Sequence, residues 1–241
     1  MNTDKVFRRA LRRRIRLAGR DLALLPDALA EAALEALPAA EGAGLSVMAD
    51  DMRIPLGASD DTSMRAEAIE MTVGDGPCLE AIRHGVLIDG SAAQLRRRWP
   101  TLHQAWNEQT PYRSALSVPV PLGIEVGCAL NLYFTAEAGA PAIDLMPMAT
   151  IGLLVADELY GFSAVKPAGL TTPLTAWLAT PSARNRQRTW IAIGMVARAG
   201  RLNASDALAL LRSRAFLLNR TMDELTHHIT TTGDLTSFLA G

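Results

Sequence analysis

The segment SALSVPVPLGIEVGCALNLYF, residues 114–134, is the part of the sequence that decides the fold. Apolar residues alternate with small or polar ones over residues 114–120 and again over residues 125–134, with the period of two that is typical of strands. The short Pro121-Leu122-Gly123 connection between the two runs favours antiparallel pairing of neighbouring strands. We therefore predict a β-hairpin here.

Weaker patterns upstream and downstream extend this hairpin into a domain. Further strands are predicted at residues 45–49, 52–56 and 86–88. Helices are predicted at residues 4–37, 93–107 and 142–162, and a short one follows a tight turn with Pro77 in its first turn. Antiparallel strands framed by helices at both ends predict an α+β domain.

The sequence changes character after residue 162. Prolines and glycines at residues 166–173 indicate a linker, and no strand pattern follows it. Three helices are predicted instead, opened by Thr180 with Pro181, by Asn203 or Ser205, and by Thr221 with Glu224 as a capping box. Such a small all-α three-helix bundle has little core of its own, so we expect it to pack against another chain or against the long helix predicted at residues 142–162.

The formal net charge of -1 conceals a segregation of charge along the chain. Residues 1–20 carry 8 basic and 1 acidic residues, residues 21–165 carry 7 and 20, and residues 166–241 carry 9 and 4. A basic helical tail is typical of a protein that binds nucleic acid. The alternative is intramolecular, with both basic ends folded onto the acidic middle.

Composition and missing motifs exclude several classes of protein. With 241 residues and 49% apolar content the chain is not disordered, and it has neither a membrane-spanning run nor a secretory signal, so we expect a cytoplasmic protein. Cys78 and Cys128 lie too far apart for a CxxC motif, and the 4 histidines show no metal-ligand spacing with them. No nucleophile motif, P-loop or dinucleotide fingerprint is present. We therefore predict neither a metal site nor an enzyme, and the sequence indicates no particular cofactor.

Four short strings in the first two thirds of the chain resemble GAF domains of actinobacterial signalling proteins. They are GDGPCLEA at residues 74–81, RWP at 98–100, YRSALSVPV at 112–120 and GCALNLY at 127–133. The resemblance covers about residues 20–162. It implies a sensor whose sheet and helices enclose a pocket for a small molecule, and a homodimer formed through terminal helices.

The tail resembles the ANTAR domain, a three-helix RNA-binding module of transcription antitermination regulators. The match runs from Arg186 through the string AIGM at residues 192–195, and it continues at Ala207, Leu211, Arg212, Ala215, Asn219, Met222, Leu225 and Thr226. The family usually has lysine where Ile193 stands, a branched aliphatic residue where Thr189 stands and alanine where Thr226 stands. The resemblance implies that a dimer binds an RNA with two stem-loops.

Recognition of structured RNA needs cations for phosphates and planar or polar side chains for unstacked bases. The predicted RNA-binding residues are Arg186, Gly194, Arg198, Arg212, Asn219 and Arg220. The alternative for each arginine is a solvated helix face, and for Gly194 it is close helix packing. Trp177 and Trp190 are candidates for stacking on bases, although aromatic residues at helical spacing more often belong to a core.

Cys78 is a ligand or redox candidate, because a helix N-terminus lowers the pKa of a thiol. The alternative is a small buried hydrophobe.

The sequence thus predicts a basic N-terminal helix segment at residues 1–20, a GAF-like sensor at 21–162, a linker at 163–180 and an ANTAR-like domain at 181–241. The predicted function is signal-responsive RNA binding in transcription antitermination or translation control. One alternative is a DNA-binding helix-turn-helix regulator with a GAF sensor. Another is an enzyme that reduces methionine sulfoxide on a GAF fold, but such enzymes use several cysteines in one pocket. The expected partners are structured RNA, a second copy of the chain and a small molecule.

Overall fold

The computed structural model describes residues 2–17, 24–49, 52–122, 127–138, 145–164 and 181–235. Within these ranges the strands are β1 (Gly42–Ala49), β2 (Met52–Ala58), β3 (Ile88–Gly90), β4 (Ser114–Pro121) and β5 (Gly127–Phe134). The first seven helices are α1 (Thr3–Leu17), α2 (Leu25–Ala36), α3 (Asp61–Val73), α4 (Pro77–His84), α5 (Ala92–Arg98), α6 (Pro100–Gln109) and α7 (Leu145–Ala164). The tail contains α8 (Pro181–Gly200), α9 (Ala204–Leu217) and α10 (Met222–Thr232).

The strands form one antiparallel sheet in the order β2-β1-β5-β4-β3. The hairpin predicted from residues 114–134 is its β4-β5 pair, in which Ser114 lies opposite Phe134. The predicted α+β class and the antiparallel sheet are therefore confirmed. The loop that includes residues 125 and 126 lies outside the described residues.

One face of the sheet is apolar and carries the main core. Alternate strand residues such as Leu45, Val118 and Leu130 pack there with residues of α2 and α7. Helix α1 belongs to the same core, since Phe7 and Leu11 are buried in it. The predicted N-terminal helix segment is thus packed onto the α+β unit that the sequence predicted as a sensor.

Arginines on the outer side of α1 pair with acidic residues of its neighbours. Arg13 pairs with Glu35 and Arg14 with Glu31, both on α2. On α7, Glu158 lies 3.7 Å from the Arg8 guanidinium. For the N-terminal basic segment, folding onto the acidic middle of the chain is therefore confirmed.

Two predicted helices are each divided into two. Residues 4–37 form α1 and α2, and Pro26 lies in the first turn of α2. Residues 93–107 fall in α5 and α6, which meet at Trp99, and Pro100 opens α6. Proline disfavours helical geometry in the residue before it and lacks an amide hydrogen, so it starts a new helix more easily than it continues one. Strand β3 begins two residues later than its predicted start.

The three helices of the tail lie where the sequence predicted them. Asn203 caps α9, and Thr221 with Glu224 forms the capping box of α10. Their apolar faces make a small core that also contains Met71 of α3. Of the predicted linker 163–180, residues 163–164 lie in α7 and the rest, with the cap residue Thr180, lies outside the described part of the chain.

None of the helices in the described ranges combines the length and the apolar character needed to cross a membrane.

Candidate functional site

The second face of the sheet is lined by buried polar residues. Ser46, Ser117, Asn131 and Tyr133 alternate along their strands with the apolar residues of the main core, and Arg53 of β2 joins them. With Glu67 and Glu70 of α3 they form what we call the polar cluster. Sequence reasoning missed it, although Asn131 between Leu130 and Leu132 was a signal that this face of β5 is not an ordinary apolar core.

Glu67 is the centre of the polar cluster and is fully buried. Its carboxylate accepts hydrogen bonds from Ser46 Oγ at 2.5 Å, from Asn131 Nδ2 at 2.7 Å and from the Tyr133 hydroxyl at 2.5 Å. Arg53 pairs with it through Nη2, and Arg53 Nη1 donates to the Glu67 carbonyl at 2.7 Å. A buried ion pair is tolerated when its polar atoms are satisfied in this way.

Glu70, one turn further along α3, is less well satisfied. Its Oε1 accepts the amide hydrogen of Cys78 at 2.9 Å, and its Oε2 lies 3.5 Å from Arg53 Nη2. Oε2 is buried without a hydrogen-bond partner from the described residues. The pKa of the Glu70 carboxyl is raised to about 7, chiefly by burial; the Arg53 guanidinium opposes this rise and the Glu67 carboxylate adds to it. Glu70 therefore changes charge near neutral pH.

The expected lowering of the Cys78 pKa is not found. Cys78 lies in the first turn of α4, as predicted, but it is fully buried, and burial raises its pKa to about 12. Burial also raises the pKa of Cys128 well above its usual value. A redox-reactive thiol must be accessible and readily deprotonated, so both cysteines behave as small buried hydrophobes.

Cavities on the two sides of the sheet differ in size and character. Beside the polar cluster, Arg53, Glu70 and Asp75 line a cavity of only about 10 Å³. At the apolar side, a cavity of about 490 Å³ is lined by residues that include Val118 and Leu153. The described residues include no group of three or more His, Cys, Asp or Glu placed to hold a metal ion.

The tail packs mainly on α3 and β2, rather than on the long helix α7, and α6 reaches its rim. Met71 of α3 lies in the tail core, and the Met222 amide that begins α10 donates to Thr72 Oγ1 at 2.8 Å. At the rim of this contact, Arg65 Nη1 lies 2.5 Å from Glu224 Oε1. We call this set of contacts the junction. In this ion pair the cation, Arg65, belongs to the acidic sensor and the anion, Glu224, belongs to the basic tail. The net charges of the two parts would suggest the opposite arrangement.

Two of the predicted RNA-binding residues lie at the junction. The Arg212 guanidinium packs over Gly74, the left-handed cap of α3 with φ 76°, so closely that a Cβ at Gly74 would lie 2.7 Å from Arg212 Cζ. Asn219 connects α9 to α10 with φ 52°, and its Oδ1 accepts a hydrogen bond from Gln109 Nε2 of α6. The structure thus brings both residues against the sensor.

The other predicted residues lie away from these contacts. Gly194 and Arg198 are exposed on α8, and Trp190, which is 44% exposed, precedes Gly194 by one turn. We call these three residues the α8 face. Among the described residues, nothing lies within 4 Å of a Cβ placed on Gly194, so close helix packing is not found there, and Trp190 does not lie in the tail core. The remaining two are Arg220, which is exposed, and Arg186, which lies in α8; Trp177 lies outside the described residues.

The three departures from the ANTAR pattern all lie in the tail core. Ile193 is buried there, so this position points inward. Thr189 and Thr226 are both fully buried, and their hydroxyls face each other at 3.4 Å. Two of the departures therefore form one interacting pair.

No protein-family model matches the chain, and no curated protein matches it. Among solved structures, it is similar to the GAF domain of a phosphoenolpyruvate-protein phosphotransferase from Coxiella burnetii, with 15% identity and a TM-score of 0.47 over 68% of this chain and 98% of that one. It is also similar to the GAF domain of the phosphoenolpyruvate-protein phosphotransferase from Acinetobacter, with 12% identity and a TM-score of 0.44 over 66% and 96% of the two chains.

Proposed function

We propose that the protein is a signal-responsive RNA-binding regulator that acts in transcription antitermination or translation control. In this proposal the GAF-like unit at residues 21–162 governs the ANTAR-like tail at residues 181–241. The observation that carries it is the junction: Arg212 and Asn219, selected from the sequence for RNA contacts, are in contact with the sensor. A signal that opens the junction would free both residues.

The α8 face offers a surface on which RNA binding begins. Arg198 supplies a cation for phosphate, and the exposed indole of Trp190 supplies a stacking surface for an unpaired base. Gly194 between them leaves room for close approach of the RNA backbone. Binding of this kind releases counterions and weakens as salt rises.

The sensor reaches the junction through α3. Glu70 of the polar cluster directly precedes Met71 and Thr72 of the junction on α3, and Glu67 lies one turn before Met71. A change in charge or hydrogen bonding in the polar cluster therefore alters the junction without any intervening element. This adjacency supports a sensor that controls the tail.

We also propose that the protein acts as a homodimer through α7. Met146, Leu153 and Tyr160 are exposed and recur every seven residues, so they lie on one side of the helix. Leu153, at the middle of this stripe, is 61% exposed in the single chain. A stripe with this period is suited to packing against the same helix of a second copy.

The test of RNA binding is a fluorescence anisotropy titration of the full-length protein with a labelled dual-hairpin RNA at two salt concentrations. Arg198→Gln should weaken binding by about 1–3 kcal/mol and reduce the salt dependence. The matched control is Arg97→Gln, an exposed arginine on α5 that bonds to Gln94 of its own helix. Duplex DNA of the same length is the comparison ligand; equal affinity for it would favour the helix-turn-helix alternative and contradict RNA specificity.

A further inference from the structure

The guanidinium of Arg212 lies at the junction without an anionic partner from the described part of the chain. Its Nε–H is buried and donates to no acceptor among the described residues, and Arg212 takes part in no ion pair with them. Burial also lowers the pKa of this guanidinium. Removing a charge from water costs free energy unless an opposite charge or a hydrogen bond compensates it. This environment therefore favours an anion that the described residues do not supply.

Arg212 borders a cleft of the right size for such an anion. The cleft has a volume of about 350 Å³, lies between α3, α6 and α9, and falls within the range of small-molecule sites. Thr101 and Ser213 line it with hydroxyls that are free to donate hydrogen bonds, and Val73 and Phe216 provide apolar surface. We call it the junction cleft.

We propose that the junction cleft binds a small organic acid, whose carboxylate pairs with Arg212 and whose apolar body lies against Val73 and Phe216. The planar guanidinium matches a carboxylate with two parallel hydrogen bonds. Arg212 lines both the junction cleft and a second, small cavity of about 10 Å³ that Glu70 and Asp75 also line. Asp75, together with Glu70 when it is ionised, repels a doubly charged phosphate more than a singly charged carboxylate, which favours the organic acid.

The site is complete only when the tail is packed on the sensor. Thr101 and Val73 belong to the sensor, whereas Arg212, Ser213 and Phe216 belong to the tail. A ligand that contacts both sides stabilises their association by mass action. If the proposed function is correct, the acid would therefore weaken RNA binding, but binding of the acid itself does not depend on RNA.

Isothermal titration calorimetry of the full-length protein tests the site with benzoate, acetate, benzamide and inorganic phosphate as probes. Benzoate carries both the charge and the apolar body, and we expect it to bind with Kd of about 1 mM. Acetate lacks the body and benzamide lacks the charge, so each should bind about tenfold more weakly. Phosphate should also bind more weakly than benzoate.

Two variants and one control locate the binding. Arg212→Gln should weaken benzoate binding about tenfold, whereas Arg97→Gln, the same change at an exposed arginine of α5, should leave benzoate binding unchanged. Phe216→Ala should weaken benzoate binding but not acetate binding, and it leaves every charge in place, so it tests the site even if Arg212→Gln fails to fold. Unchanged benzoate binding in either variant, or benzamide or phosphate binding as tight as benzoate, would overturn the proposal.

Discussion

At the scale of single residues, two glutamates on one helix differ because of their hydrogen bonds. Glu67 is surrounded by donors, whereas the Glu70 carboxyl has one amide donor and a more distant arginine. The pKa of Glu70 is about 7 in the folded protein, against a usual value of 4.5. Between these two values the folded state holds a proton that the unfolded state has lost, so the free energy of unfolding falls as pH rises through this window.

Glu70→Gln should remove this pH dependence. The glutamine side chain has the size of glutamate and keeps an acceptor for the Cys78 amide. Relative to wild type, the free energy of unfolding of the variant should rise by up to about 3 kcal/mol between pH 4.5 and pH 7.5. Urea unfolding of both proteins at several pH values measures the difference. A difference in stability that stays constant over this range would show that Glu70 does not titrate there.

The buried pair Thr189–Thr226 gives a second prediction at this scale. Thr189→Val alone leaves the Thr226 hydroxyl without this partner and should cost about 1 kcal/mol of stability. In that variant the Thr226 hydroxyl keeps only its long hydrogen bond of 3.4 Å to the Asp223 carbonyl. Thr226→Ala in addition removes this hydroxyl, so the double variant should be more stable than the sum of the two single changes predicts. A double-mutant cycle by urea unfolding measures the coupling, and additive costs would mean that the two hydroxyls do not interact.

The contacts of Arg212 and Asn219 show what sequence can predict about a site. Their motif positions marked both residues as candidates, but the partners of Arg212 and Asn219, Gly74 and Gln109, lie more than a hundred positions away. No local pattern specifies such a distant partner. The polar cluster was missed for the same reason, because Glu67 resembles any polar helix residue until the sheet is placed beneath it.

At the scale of elements, the sequence predicted best those helices and strands whose boundaries depend on residues close to one another in the chain. The hairpin of β4 and β5 follows from alternation and a short connection, and the caps of α9 and α10 follow from side chains that bond to nearby amides. The predicted boundaries failed where proline begins a helix within a run of helical residues, at Pro26 and Pro100. At both places the prediction followed the helical periodicity of the whole run and gave too little weight to the proline, which begins a new helix.

The exposed stripe of α7 carries the prediction for assembly. Leu153→Glu places a charge in the centre of the stripe and should convert a dimer into a monomer, because a buried unpaired carboxylate is costly. Light scattering after size exclusion gives the mass. Val86→Glu, at an apolar residue that is 51% exposed outside α7, is the control and should remain dimeric. A dimer of unchanged stability in Leu153→Glu would place the interface elsewhere.

At the scale of the whole molecule, the sensor and the tail meet through a mixed contact. Met71 supplies apolar burial, while Arg65 and Gln109 reach Glu224 and Asn219 at the rim. The segregation of charge did not predict this arrangement, since the acidic sensor provides the cation of the ion pair. Partly exposed polar contacts of this kind contribute about 0.5 kcal/mol each, which is small enough for a signal to reverse.

In the proposed function the sensor restrains the binding of RNA by the tail, and the most direct measurement of this restraint is the affinity of a junction variant for RNA. The double variant Arg65→Ala with Gln109→Ala removes both rim contacts without changing the tail. Its matched control is Arg97→Ala with Gln104→Ala, which changes the same residue types where they bond to their own helices.

We expect the junction variant to bind labelled dual-hairpin RNA about fivefold more tightly than wild type, because about 1 kcal/mol of restraint is lost, while the control binds like wild type. Anisotropy titrations of the three full-length proteins at one salt concentration give the comparison. Equal RNA affinity of the junction variant and the control would contradict restraint by the sensor, and no RNA binding by any of the three would contradict the function itself.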